Sequence, residues 1–168
     1  ELGVPTELGA DGASGRLLVG VVAPGDAEAA AGFVKGCKDA LGAITHFTGA
    51  AQQLRQRVPG REPAGDLDEL LSTNLTTNAT LCRAVLPAMR RRKSGRLLFV
   101  AAPESPELLS VTCRASLAAL SEFAAAMKGD LKDAGIDVEI VPAPADLGAE
   151  DPVMVRWLAA LATVEAAF

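Results

Sequence analysis

The sequence predicts an α/β domain, a parallel sheet with helices on both faces joined by right-handed crossovers. Two observations lead there. Short apolar runs of strand length alternate along the chain with longer stretches of helical period. The strand-length runs are continuous rather than alternating, the pattern of strands covered on both faces, and Gly, Pro or capping residues punctuate them.

Residues 1 to 16 carry Gly, Pro, Ala and Ser without an apolar period and read as an irregular tail, leaving 17 to 168 as the domain. Residues 17 to 23, closed by Pro24-Gly25, form the expected first strand. Asp26 is placed to cap a helix over 27 to 41, which Gly42 stops. A second strand over 43 to 51 leads into an exposed polar connection, 52 to 65, with two prolines and three arginines. Asp66 then caps a long amphipathic helix to Lys93, in which Leu67, Leu70, Leu71, Leu75, Leu81, Val85, Leu86 and Met89 recur at helical spacing. Pro87 should bend this helix or loosen its last turn, and the basic run from Arg90 to Lys93 suits the negative end of the helix dipole. A third strand over 96 to 102, a helix over 111 to 132, and a fourth strand over 137 to 141 follow. Asp151 and Pro152 open a last helix that reaches Phe168.

Composition narrows the function classes. Of 168 residues, 49% are hydrophobic and 22% charged, which is the balance of a globular domain. The net charge of −5 argues against a nucleic-acid partner, which needs clustered positive charge. Charged residues interrupt every apolar run before the roughly 20 residues that a membrane-spanning helix needs. Cys37, Cys82 and Cys113 are far apart, and His46 is the single histidine, so no metal-ligand set is in view. Odd, scattered cysteines fit a reducing, intracellular compartment. The chain begins at Glu1 rather than methionine, which fits a removed leader or a missing N-terminal segment, and an organelle such as the mitochondrion is compatible with it. Asn74-Leu75-Thr76 and Asn78-Ala79-Thr80 match the glycosylation pattern, but both fall inside the long helix and read as chance matches.

Several segments resemble the short-chain dehydrogenase/reductase family in the correct order from 17 to about 147. Arg83-Ala84-Val85-Leu86-Pro87-Ala88-Met89 followed by Gly95-Arg96-Leu97-Leu98-Phe99-Val100 is similar to its passage from helix to strand. Gly135-Ile136-Asp137-Val138 is similar to its Gly-Ile-x-Val turn, and the stretch from Cys113 to Leu120 to the start of its Tyr-x-x-x-Lys helix. The resemblance implies a partial Rossmann-like, three-layer αβα fold without the first βαβ nucleotide-binding unit. No Gly-x-x-x-Gly-x-Gly or Gly-x-Gly-x-x-Gly turn occurs, so no cofactor is expected. The family's Asn-Asn-Ala-Gly motif is echoed only by Gly49-Ala50-Ala51-Gln52, which has lost both amides.

By the same resemblance, the family's Asn, Ser, Tyr and Lys fall on Asn74, Ala102, Cys113 and Leu117. Only the asparagine is kept, and the chain contains no tyrosine. Arg114 adjoins Cys113 in sequence, but neighbours on a helix point about 100° apart. The resemblance therefore implies a pseudoenzyme, an accessory or structural subunit of a larger protein assembly. One half of a split or heteromeric NAD(P)-dependent reductase, or a small hydrophobic-ligand binding module, are the alternatives. Contacts with other subunits are expected through the helix pair 66 to 93 and 111 to 132, with Ala115, Ala119, Ala126, Leu75 and Leu86 as candidate contact residues. An exposed sheet edge near residues 17 to 23 is the other candidate surface.

Overall fold

The structure, a computed structural model, describes residues 6–10, 13–18, 20–56, 65–101 and 109–142. Strands β1 (Thr6–Ala10) and β2 (Ala13–Leu17) pair antiparallel, Ala10 opposite Ala13. This hairpin lies in the stretch expected to be an irregular tail. Among the described residues of the expected first strand over 17 to 23, none belongs to a strand of the parallel sheet: Leu17 ends β2, and Val21 is 88% exposed. A continuous apolar run indicates burial only if a neighbouring strand receives it, and the described parallel sheet has three strands rather than four.

Helix α1 (Ala27–Leu41) begins as its sequence dictates, with the Asp26 carboxylate accepting from the Ala29 N–H at 2.9 Å. It ends at Gly42, whose φ of +94° suits glycine. Strand β3 (His46–Gly49) follows, shorter than the expected 43 to 51. Its His46 is half-buried, with Nδ1 at 2.9 Å from the Thr45 hydroxyl, and burial and the nearby Arg96 both lower its pKa.

The long helix expected from 66 to 93 is broken into α2 (Asp66–Leu71), a π-helical turn (Ser72–Thr76) and α3 (Thr77–Arg92). The irregularity therefore falls around Asn74. Pro87 sits inside α3 on its exposed face, where the carbonyl it leaves unbonded can meet water. Asp66 does not cap this helix: Gly65, at φ +86°, holds the cap position, and Asp66 is the first helical residue, with its carboxylate turned to other partners.

Strand β4 (Gly95–Ala101), helix α4 (Val111–Leu131) and strand β5 (Ile136–Pro142) complete the described elements. The strand order is β3-β4-β5, all parallel, with His46 opposite Arg96 and Gly95 opposite Ile136. Leu97 and Phe99 of β4 and Ile136 and Val138 of β5 point to one face, where they pack with Val34, Cys82, Val85, Leu86, Met89, Leu120, Ala124 and Leu131. Phe99 meets Phe47 and Phe123 edge-on, at ring-centre distances of 5.9 and 5.8 Å. On the opposite face Leu98 and Val100 are buried as well, as a strand covered on both sides requires. The expected helix over 151 to 168 lies outside the described residues.

Candidate functional site

At the carboxyl end of the sheet, the π-helical turn gathers a buried polar cluster. In it the Thr77 N–H reaches back five residues to the Ser72 carbonyl, and the Thr77 hydroxyl donates to the same oxygen at 3.0 Å. Asn74, fully buried, grips the backbone of Gln53 in the loop after β3: its Oδ1 accepts from the Gln53 N–H at 2.6 Å and its Nδ2 donates to the Gln53 carbonyl at 3.1 Å. The second Nδ2 proton goes to the Ser116 hydroxyl at 2.8 Å, so both donors of the amide are used within the fold. Ser116 in turn donates to the Cys113 carbonyl at 2.8 Å.

One turn along, Asn78 repeats the grip. Its Nδ2 donates to the Ala51 carbonyl at 2.9 Å and to the Asn74 carbonyl at 2.7 Å, while its Oδ1 accepts from the Ala51 N–H at 3.3 Å. Gln52 donates from Nε2 to the Val100 carbonyl and, at 3.1 Å, to the Ala101 carbonyl. This amide closes the carboxyl end of β4.

The four positions marked by the sequence fare differently. Asn74 stands at the centre of the cluster. Cys113 lies beside it, fully buried, its sulfur 3.7 Å from the Gln53 carbonyl and its N–H held by the capping hydroxyl of Ser110. Leu117 is also fully buried, in a small apolar cluster with Leu70, Leu109 and Cys113. Ala102 lies outside the described residues. Arg114 is exposed, turned away from Cys113 as helical geometry requires.

Of the candidate contact residues, Ala115 and Ala126 are exposed, and Ala119 and Leu75 half-buried. Leu86 is buried in the chain's own core, on the face of α3 that packs on the sheet. The sequence reading also missed Gln52, Gln53, Asn78 and Ser116. Gln52, the last residue of the Asn-Asn-Ala-Gly echo, and Gln53 just after it supply side-chain amides, to the Ala101 carbonyl and to Glu69. Asn78 is visible in the sequence as an amide four residues after Asn74, on the same helical face. Both asparagines are buried, in keeping with the reading of their glycosylation patterns as chance matches.

A parallel sheet with this helix order and a polar cluster at its carboxyl end defines a dinucleotide-fold type of α/β protein. The family model for short chain dehydrogenases matches residues 4–148, and the chain belongs to that family. A short-chain dehydrogenase from Streptomyces avermitilis is similar in structure, with a TM-score of 0.64 at 21% identity, over 74% of this chain and 46% of that one. The halohydrin dehalogenase HheC, solved with ethyl (2S)-oxiran-2-ylacetate, gives 0.62 at 22% identity over 76% of this chain and 57% of that one. The chain thus spans about half the length of these structures, and at such identities the likeness speaks for the fold. No curated protein matches the chain. Family membership implies a nicotinamide dinucleotide. Leu117, on which the sequence resemblance placed the family's lysine, is sealed in an apolar cluster with Leu70, Leu109 and Cys113 and offers no charge to such a group.

Proposed function

We propose that the chain acts as an accessory subunit on the short-chain dehydrogenase fold, binding other protein subunits and performing no hydride transfer of its own. The observation that carries this reading is the burial of Cys113 and Leu117 in one apolar cluster with Leu70 and Leu109. Acid/base catalysis needs a titrating group within reach of substrate, and these two positions are committed to packing instead. The exposed side of α4, which includes Val111, Ala115, Ala118, Ala125 and Ala126, is rich in small apolar residues and supports a contact role for the α2/α3 and α4 pair. The three free thiols fit a reducing compartment.

Calorimetric titration of the chain with NADH and NADPH tests this reading, and no binding in the micromolar range is expected. Cys113→Tyr combined with Leu117→Lys should likewise give no reductase activity, because a positioned acid is idle without a bound hydride donor. Micromolar binding, or turnover in the double variant, would overturn the proposal. A split reductase is the second reading, favoured by the retained Asn74 and by the chain's spanning about half the length of its structural neighbours. Purification of the native chain with its partners separates the two: a partner bearing both a glycine-rich turn and a Tyr-x-x-x-Lys helix favours the split enzyme.

A further inference from the structure

Residues 52 to 56 run from the end of β3 across the carboxyl end of β4 to the start of α4, which is the end of an open α/β sheet where ligands bind. Gln52 lies on the last carbonyls of β4, Gln53 is held by Asn74, and Gln56 makes a single antiparallel bridge with Leu109. The Ser110 N–H donates to the Arg55 carbonyl at 2.8 Å. Beneath this segment Asn74, Cys113 and Ser116 are each fully buried.

A charged fastening holds the segment down. The Arg55 guanidinium lies 2.8 Å from Asp66 Oδ1 and 2.6 Å from Glu69 Oε2. Asp66 is almost wholly buried and accepts from the Thr112 hydroxyl at 2.6 Å, while Gln53 Nε2 donates to Glu69 Oε1 at 3.1 Å. The fastening is incompletely satisfied. Arg55 Nε and Asp66 Oδ1 are buried without a well-directed hydrogen bond, so the close Arg55–Asp66 approach is an attraction of charges rather than an aligned bond. Attraction within a buried pair is largely offset by the cost of taking both ions from water, and separating the two into solvent returns that cost. The ion pair therefore adds a small net free energy to a closed arrangement that the hydrogen bonds to Gln52, Gln53 and Arg55 define.

We propose that residues 52 to 56 form a strap, fastened by Arg55 to Asp66 and Glu69, whose opening uncovers Asn74, Cys113 and Ser116 together. The strap controls access to the polar floor of the site whether or not the chain turns over a substrate. Cys113 reports on its position, since its sulfur lies directly under the Gln53 carbonyl. Cys82 serves as an internal reference for global unfolding. It is buried in the main core, and burial pushes its thiol up to about 12, so it reacts only when the fold opens.

The test is alkylation of the full-length native chain with iodoacetamide, followed cysteine by cysteine by peptide mass spectrometry, in the wild type and in Arg55→Met and Glu69→Gln. Local opening predicts that Arg55→Met labels Cys113 about tenfold faster at an unchanged Cys82 rate. Glu69→Gln removes one exposed arm of the fastening, leaves Asp66 paired, and should give a smaller rise of about two- to threefold. Should Arg55→Met fail to fold, Glu69→Gln carries the same comparison alone. Cys113 labelling that is unchanged in the folded variants, or that rises only in step with Cys82, would overturn the strap.

Discussion

Asn78 does more for this fold than its neutral side chain suggests. It bonds the carbonyls of Ala51 and Asn74 and accepts the Ala51 N–H, so one amide joins the loop after β3 to the irregular helix turn. Asn78→Ala removes the side-chain partner of these part-buried backbone groups, and a buried polar group left without a partner costs about 1–3 kcal/mol. The variant should lose about 2–4 kcal/mol in urea-induced unfolding at an unchanged m-value. A loss under about 0.5 kcal/mol, the size of an ordinary surface substitution, would show that water or a shifted backbone replaces the amide. Asn74 was legible in the sequence because a family resemblance marks it. Asn78 was not, since its value arises only when the loop at Ala51 comes within reach, and that approach is a tertiary fact. For the same reason Leu117 could be recognised as uncharged from the sequence, whereas its packing with Leu70 and Leu109, from two other segments, could not.

Among the elements, those with a local stop signal were the readable ones. Helix α1 has Asp26 before it and Gly42 after it, and β4 and α4 lie within a residue of their expected bounds. The π-helical turn carries no such signal: it depends on Asn74 reaching Gln53 and Ser116 across the fold. The hairpin has a weak one. Asp11-Gly12, the residues between the paired Ala10 and Ala13, is a dipeptide that favours hairpins, but the flanking segments hold too little β-branched or aromatic side chain to announce strands. Where two elements meet, Gly135 gives a sharp test. Its φ is +68°, and a Cβ built there would lie 2.3 Å from the Lys93 carbonyl, at the left-handed end of α3. Gly42 has a positive φ too, with nothing within 4 Å. Gly42→Ala should cost about 1–3 kcal/mol, the strain of its backbone conformation alone, and Gly135→Ala more, because the Lys93 carbonyl must also move. Equal losses in the two variants, read by thermal or urea unfolding, would show that the junction between α3 and the α4–β5 turn yields without resistance.

For the whole molecule, what matters is which surfaces are left for a partner. Among the described residues, the outer strands of the parallel sheet are β3 and β5, and none near residues 17 to 23, the edge suggested by the sequence, is a strand of it. The helix pair is the surface we propose for a partner. On α4 the buried residues Cys113, Ser116, Leu117, Leu120, Ala124 and Leu131 face inward, while Ala115, Ala118, Ala125 and Ala126 stay exposed on the other side. Small exposed side chains let another backbone come close and pack by shape, which a core-facing stripe alone does not explain. Ala126 is the better probe than half-buried Ala119, since a charge there meets solvent in the free chain and desolvation only in a complex. Ala126→Arg should therefore leave the melting temperature of the isolated chain within about 2 °C, the scale of a surface substitution, and shift the native assembly to smaller species in size-exclusion chromatography. Ala119→Glu should have the same effect on assembly with some loss of stability. An unchanged elution volume and unchanged co-purification in both variants would remove the helix pair as the contact surface, and the outer edge of β3, where parallel strands ordinarily require a neighbour, would take its place.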